Sequence, residues 1–361
     1  MSQNRSNDDG APGLPRRQFL KQSALAAAGL AVGVPFLQAG GRRLGPALRT
    51  VPAAAAKSKV VWIHHSKVID AAGRVEAPLL QEMLDKALTE FTGRGSIADA
   101  WRQFVKPEDI VGLKLNTLGL SSIRGMDYIQ HFPAMVAALS SGLQKAGIKE
   151  KNLVVWDRSG EEMKDAGFVL QSDPGSIRYM ANKNGMRDRE GNYNPDRHPV
   201  GSKSSRLSAI WTDVCTAVIN VPVPKTHGQA AFTNALKMHY GTIDNAFEFH
   251  ANGCTKPGIA EVNAIPIIRQ KQKLVVSDAL LMAIEAGPRW DRRFIRPAGG
   301  LLVGTDPVAV DAAALMLLDE KRAADGMEAI APRVAHIALA EELGLGNARL
   351  ENIDLVKIDL G

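Results

Sequence analysis

A doubly wound, Rossmann-like α/β fold, with a mostly parallel sheet covered by helices on both faces, is the expectation for this chain. Short apolar runs such as 110–116 and 153–157 alternate with stretches of helical spacing. The runs are near-continuous rather than alternating, as strands buried on both faces require. A third observation, that polar residues follow directly upon several runs, suits a sheet whose ligands sit beyond the strand ends.

Taken in order, 60–65 (VVWIHH) reads as a strand, and 78–91 has helical spacing through Leu79, Leu80, Met83, Leu84, Ala87, Leu88 and Phe91. Trp101–Val105 is a short helical turn. Residues 110–116 form a strand ending in Asn116 and Thr117, and Gly119–Gly125 a loop. Phe132–Ala146 is an amphipathic helix stopped by Gly147. Residues 153–157 form a strand ending in Asp157, with a short helix at Glu161–Ala166. The polar stretch 182–206 lacks periodicity and is a long loop excursion, a lid over a site on one reading and a mobile excursion or small hairpin on the other. Ala217–Val221 is a buried strand; Gly258–Gln270 is a helix interrupted at Pro266. Residues 273–280 form a strand ending in Ser277 and Asp278, and 299–306 another ending in Thr305 and Asp306, tips expected at the same crevice rim as Asn116/Thr117, Asp157/Arg158 and Lys225/His227. A helix from Pro307 to Glu320, capped by Asp306, is followed by a helix at Arg333–Leu343 and a last strand at 353–358.

The charge balance divides sharply along the chain. Of 44 Lys/Arg and 38 Asp/Glu, residues 1–56 hold seven and two, leaving 37 and 36 beyond. The body therefore gives no electrostatic case for nucleic acid. The leader places Arg16-Arg17 ahead of Phe19, Leu20 and Lys21, then an apolar Ala/Gly-rich run over 24–37. It reads as a twin-arginine signal peptide and linker over 1–56, with a single α/β domain over 57–361. The expectation is folded export through the twin-arginine translocase to the periplasm or beyond, with no permanent membrane anchor, since the run is too short to span a bilayer. Cleavage falls at Ala53–Ala56 or at Gln38-Ala39. Cys215 and Cys254 allow one disulfide and are too few for a Cys₄ iron–sulfur cluster.

Candidate site residues concentrate in 216–254. After the buried strand and two prolines come Lys225 and His227 beside Gly228, then Asn234, Lys237 and His239, then His250 and Cys254. Lys225 and His227 at a turn suit capture of a small anionic ligand, with His227 as general acid–base because its free pKa lies near neutrality. His239, His250 and Cys254 have the donor types for a transition metal, iron or zinc, but no named spacing. They serve equally as a packed histidine, a loop cap and an inert thiol. Asn116, Thr117, Asp157, Asn234, Lys237 and Asp278 complete the candidate binding set; Asp157 could also be a helix cap and Asn116 a turn residue. Of His64-His65, at most one can enter a crevice. No G-x-G-x-x-G after a strand, Walker sequence or G-x-S-x-G elbow occurs, which argues against nicotinamide, nucleotide and serine-hydrolase chemistry.

The segments KPEDIVGLKLN (106–116), NLVVWDRSG (152–160), VPVPKTHGQAAFTNALKMHYG (221–241), FHANGC (249–254), VVSDAL (275–280) and TDPVAVD (305–311) together resemble domain of unknown function 362, over about 100–320. The leader resembles the twin-arginine form of that family. The resemblance implies the fold but no general activity. Some relatives resemble iron–sulfur proteins through attached ferredoxin segments, whose cysteine set this sequence lacks. Two functions follow. One is an exported enzyme using a metal or cofactor, with redox chemistry suggested by the export route, acting on a small anionic substrate. The other is a non-catalytic periplasmic binding or cofactor-maturation protein.

Overall fold

The computed structural model describes residues 57–184 and 190–361. The leader, including Arg16-Arg17 and both cleavage candidates, lies outside the described residues.

The first layer begins with β1 (Ser58–His64), α1 (Ala77–Thr92), α2 (Ile97–Trp101), β2 (Val111–Leu115) and α3 (His131–Lys145). It continues with β3 (Leu153–Ser159), α4 (Gly160–Asp165) and β4 (Arg178–Lys183). Of the readings of the polar stretch, the hairpin is the one found, β5 (Tyr193–Val200) with β6 (Lys203–Ser208). Then come β7 (Ala217–Val221), β8 (Lys225–His227) and β9 (Ala231–Thr233), a 3₁₀ segment at Leu236–Gly241, and the one-turn α5 (Ala251–Cys254). Two short helices, α6 (Ile259–Asn263) and α7 (Pro266–Lys271), are divided ahead of Pro266. The chain closes with β10 (Gln272–Ala283), β11 (Ile295–Gly304), α8 (Pro307–Ala324), α9 (His336–Glu342) and β12 (Ile353–Asp359).

The main sheet runs β12-β1-β11-β10-β7-β2-β3-β4. It is mixed but mostly parallel, because β11 alone on this path runs against its neighbours β1 and β10. Alternate residues of one strand feed opposite cores. Leu153 and Val155 pack with α1, α2 and α3, while Val154 and Trp156 face the core shared with α6, α8 and α9. Burial on both faces is the physical reason the strands read as unbroken apolar runs.

Two features of the topology locate the site. From β2 the order proceeds to β3 and β4 on one side, and to β7 and β10 on the other. The crevice beyond β2 and β7 is therefore a switch point, where an open α/β sheet offers room for a ligand. The register is flush: Lys114 lies beside both Trp156 and Asn220, so the residues that follow emerge at one level.

The antiparallel β11 overturns part of the expected rim. Thr305 and Asp306 emerge at the opposite end of the sheet, where Asp306 accepts from Ser58 and caps α8 through Val308 and Ala309. Asp278 is not at a strand end either, since β10 continues to Ala283.

Candidate functional site

The cleft at the switch point occupies about 490 Å³ counted to its open mouth, and Lys114, Asn116, Asp157, Arg158, His227, Lys237 and His250 line it. Its floor is a buried ion pair. Lys114 Nζ donates to Asp157 Oδ1 at 2.6 Å and to the Leu115 carbonyl at 2.6 Å. The other Asp157 oxygen accepts from the Thr117 N–H and hydroxyl, each at 2.7 Å, and the Arg158 N–H reaches Oδ1 at 2.7 Å. Burial alone would raise the Asp157 carboxyl; the Lys114 ammonium and these hydrogen bonds outweigh it and hold it below 3.8. Thr117 thus faces Asp157 and braces the floor.

Gly241 makes this floor reachable. A Cβ there would stand 2.9 Å from Lys114 Nζ and 3.4 Å from Asp157 Oδ1. Gly241→Ala is expected to displace the Lys114 ammonium and to cost about 1–3 kcal/mol, as overpacking does; a thermal melt checks it.

Lys225 sits one layer behind. Its ammonium is completely buried, donating to Asn116 Oδ1 at 2.9 Å and the Leu118 carbonyl at 3.1 Å, and lies 5.6 Å from the Trp290 ring centre. Burial lowers it to about 7. The loop carrying Trp290 closes over it through Gly119, whose φ of 92° and contact with the Pro288 carbonyl leave no space for a side chain.

The tautomers of the cleft histidines are set by their neighbours. A three-residue turn joins β8 to β9, with Ala231 left-handed at φ 60°. It aims the N–H groups of Gln229 and Ala230 at His227 Nδ1, each at 3.1 Å. Nδ1 therefore accepts, and the neutral ring carries its proton on Nε2. Burial, helped by Lys237 and His250, pushes His227 down to about 3. With Nδ1 occupied, His227 presents its Nε2–H to the cleft as a donor. His250 is the reverse case. Its Nδ1 donates to the Ala246 carbonyl at 2.8 Å, leaving Nε2 as an acceptor 3.3 Å from Lys237 Nζ.

Lys237 is the least compensated charge in the cleft. Its side chain is buried, 4.1 Å above the Tyr240 ring centre, and among the described residues it forms no ion pair. Burial lowers it to about 8. Arg158, by contrast, has a partner, donating from Nε to Glu162 Oε2 at 2.9 Å.

The remaining expected residues lie elsewhere. Asp278 Oδ2 lies 2.6 Å from His131 Nδ1 on α3, both side chains buried. Asn234 Oδ1 accepts from Ser277 at 2.8 Å. His239 turns onto the sheet face, with Nε2 2.9 Å from Gln272 Oε1 and its ring against Trp211. Cys254 is a buried free thiol whose nearest His250 partner is the backbone carbonyl, at 3.9 Å. His239, His250 and Cys254 therefore face apart and do not make one metal-binding set, and no cluster of three such donors occurs among the described residues. Cys215 is likewise buried and free. His64 pairs with Asp359 at the other side of the sheet.

Three contributors were not expected. Lys114 has a visible signal, a lysine inside the apolar run GLKL; Tyr240 has none. Asp311, within VAVDAAAL, is completely buried and accepts from the N–H groups of Ala235 and Leu236 at 2.6 and 3.2 Å. It anchors the segment that presents Lys237. Burial pushes Asp311 up to about 8.

A model of a domain of unknown function, DUF362, matches residues 111–316. The chain belongs to the DUF362 family. The match takes in the whole cleft, from β2 through β10. A similar solved structure is that of a structural-genomics target from Thermotoga maritima, 11% identical with a TM-score of 0.40. The alignment covers 75% of this DUF362 chain and 60% of that protein's length. No curated protein matches the chain.

Proposed function

We propose that the cleft binds the oxyanion of a small substrate, phosphate or carboxylate, and that Lys237 and His250 move a proton on the bound ligand. The observation that carries this reading is the buried, uncompensated Lys237 ammonium. A charge out of water is costly, and an anionic ligand is the counter-charge that none of the described residues supplies. Arg158 and the His227 Nε2–H supply further donors to the same space.

Lys237, lowered to about 8, can give a proton near neutral pH and take it back. His250 Nε2 is placed to receive it. A second reading, anion capture without turnover, is favoured by His227, whose Nδ1 is occupied by two backbone N–H groups. Calorimetric titration with phosphate and with acetate tests the common part. Saturable binding that weakens above pH 8 is expected; no saturable heat with either anion rejects both readings. His250→Phe then separates them: pure capture leaves the proton exchange on anion binding unchanged, whereas a proton relay loses the part received by His250 Nε2, as titration in buffers of different ionisation enthalpy reads.

We further propose that the chain is exported folded by the twin-arginine route to the periplasm. Support comes from Arg16-Arg17, the short apolar run and the +5 balance of residues 1–56. Arg16→Lys with Arg17→Lys is expected to leave the chain in the cytoplasm, as cell fractionation reads; unchanged export would refute the route.

A further inference from the structure

We infer that the ligand of this cleft carries a planar aromatic ring, held in a second cavity that opens directly from the first. The inference rests on the oxyanion reading above and adds the class of molecule to which the anion is attached.

The second cavity occupies about 670 Å³ counted to its mouth and shares Arg158, Tyr240 and Ala246 with the oxyanion cleft. Its other walls include Lys183, Tyr193 and Phe247. Phe247 is 89% exposed, although a buried place would be favoured for so large an apolar side chain. A single exposed phenylalanine on a surface means little. Here it ends a chain of rings that starts in the oxyanion cleft. The His227 and His250 rings stack at 5.7 Å between centres, Tyr240 meets His250 at 5.1 Å, and Phe247 lies 6.2 Å from His250.

The cavity wall also sets cations beside rings, with Lys183 and Arg158 lining it together with Tyr193, Tyr240 and Phe247, and Arg206 standing behind Tyr193. Lys183 Nζ lies 5.4 Å from the Tyr193 ring centre and the Arg206 guanidinium 5.8 Å from it. Arg206 is paired with Asp244 at 2.8 Å. A flat aromatic group fits such a wall, because ring faces stack on rings and attract cations. An aliphatic group of equal size would gain burial but neither of these contacts. The inner cleft takes the oxyanion, the outer cavity takes the ring, and Arg158 stands where the two meet.

The test measures dissociation constants for inorganic phosphate, ethyl phosphate and phenyl phosphate, and for ribose 5-phosphate against AMP, on the full chain and on Phe247→Ala. Phe247 is exposed, so its truncation leaves the core intact. Each aromatic phosphate is expected to bind about ten-fold or more tightly than its ring-free counterpart, as ring stacking provides elsewhere. That ratio should fall toward one in Phe247→Ala for at least one of the two pairs. Ratios near one for both pairs in the unsubstituted chain overturn the ring inference and leave the oxyanion site standing. A full aromatic preference that survives in Phe247→Ala also overturns it. Failure of every phosphate to bind overturns this inference; if acetate also fails to bind, the oxyanion reading falls with it.

Discussion

Replacing Lys237 by methionine is expected to weaken phosphate binding about 10- to 100-fold while making the protein more stable. A hydrogen bond to a charged partner is worth about 1.5–3 kcal/mol, which sets the loss. The gain comes from removing a desolvated charge. Burial takes Lys237 from an ordinary 10.5 to about 8. A tenfold change in proton affinity corresponds to about 1.4 kcal/mol, so roughly 3 kcal/mol of destabilisation is released at neutral pH. The pH dependence fixes the sign. Between pH 8 and 10.5 the unfolded chain holds a proton on this lysine that the folded chain has lost, so the unsubstituted protein gains stability as pH rises through that window. The methionine variant lacks that gain. Its advantage is therefore full below pH 8 and gone above 10.5, which denaturant melts at several pH values will read. A variant that loses binding and stability together would mean that Lys237 is structural.

Asp157→Ala is expected to cost about 3–5 kcal/mol, the penalty of leaving one member of a buried ion pair alone. Four hydrogen bonds converge on this carboxylate, and Lys114 would be left buried without its partner. Against a typical total of about 5–15 kcal/mol, the variant would be marginally folded. Asp157→Asn retains the shape and separates charge from packing. Because the folded carboxyl is held below 3.8, its contribution is present above that pH and is lost as pH falls through the lower folded value. The asparagine variant should lack that part of the acid-induced loss. Equal stability of the alanine variant and the parent would show that the Lys114–Asp157 pair is not a support of the floor.

The sheet was legible because burial on both faces leaves an unambiguous trace: unbroken apolar runs such as Leu153–Trp156, bounded by polar residues. The direction of β11 leaves no such trace, since a strand buried on both faces has the same sequence either way up. That is why Thr305 and Asp306 were expected at the wrong rim. Asn116, Asp157, His227, Lys237 and His250 were found in the cleft because Asn116 follows β2, Asp157 lies near the end of β3, and the others belong to the segment after β7. The roles of the histidines were not legible, because they depend on which ring nitrogen meets a backbone group. Gln229 and Ala230 reach His227 Nδ1 only once the turn places Ala231 in the left-handed region. His239 and Cys254 misled for a related reason: donor type is written in the sequence, donor direction is not. Asp311 was missed because its partners, Ala235 and Leu236, lie some seventy-five positions away in the chain.

The central claim is that Lys237 lies buried with no counter-charge among the described residues and that an anion supplies one. The most direct measurement is a pH titration of the lysine side-chain carbons by NMR, with Lys237→Arg to assign the resonance, in the absence and presence of phosphate. Lys237 is predicted to titrate near 8 without phosphate and to move upward when phosphate is added, because a bound anion favours the ammonium. A Lys237 resonance that titrates near the ordinary value for lysine and ignores phosphate would contradict the account.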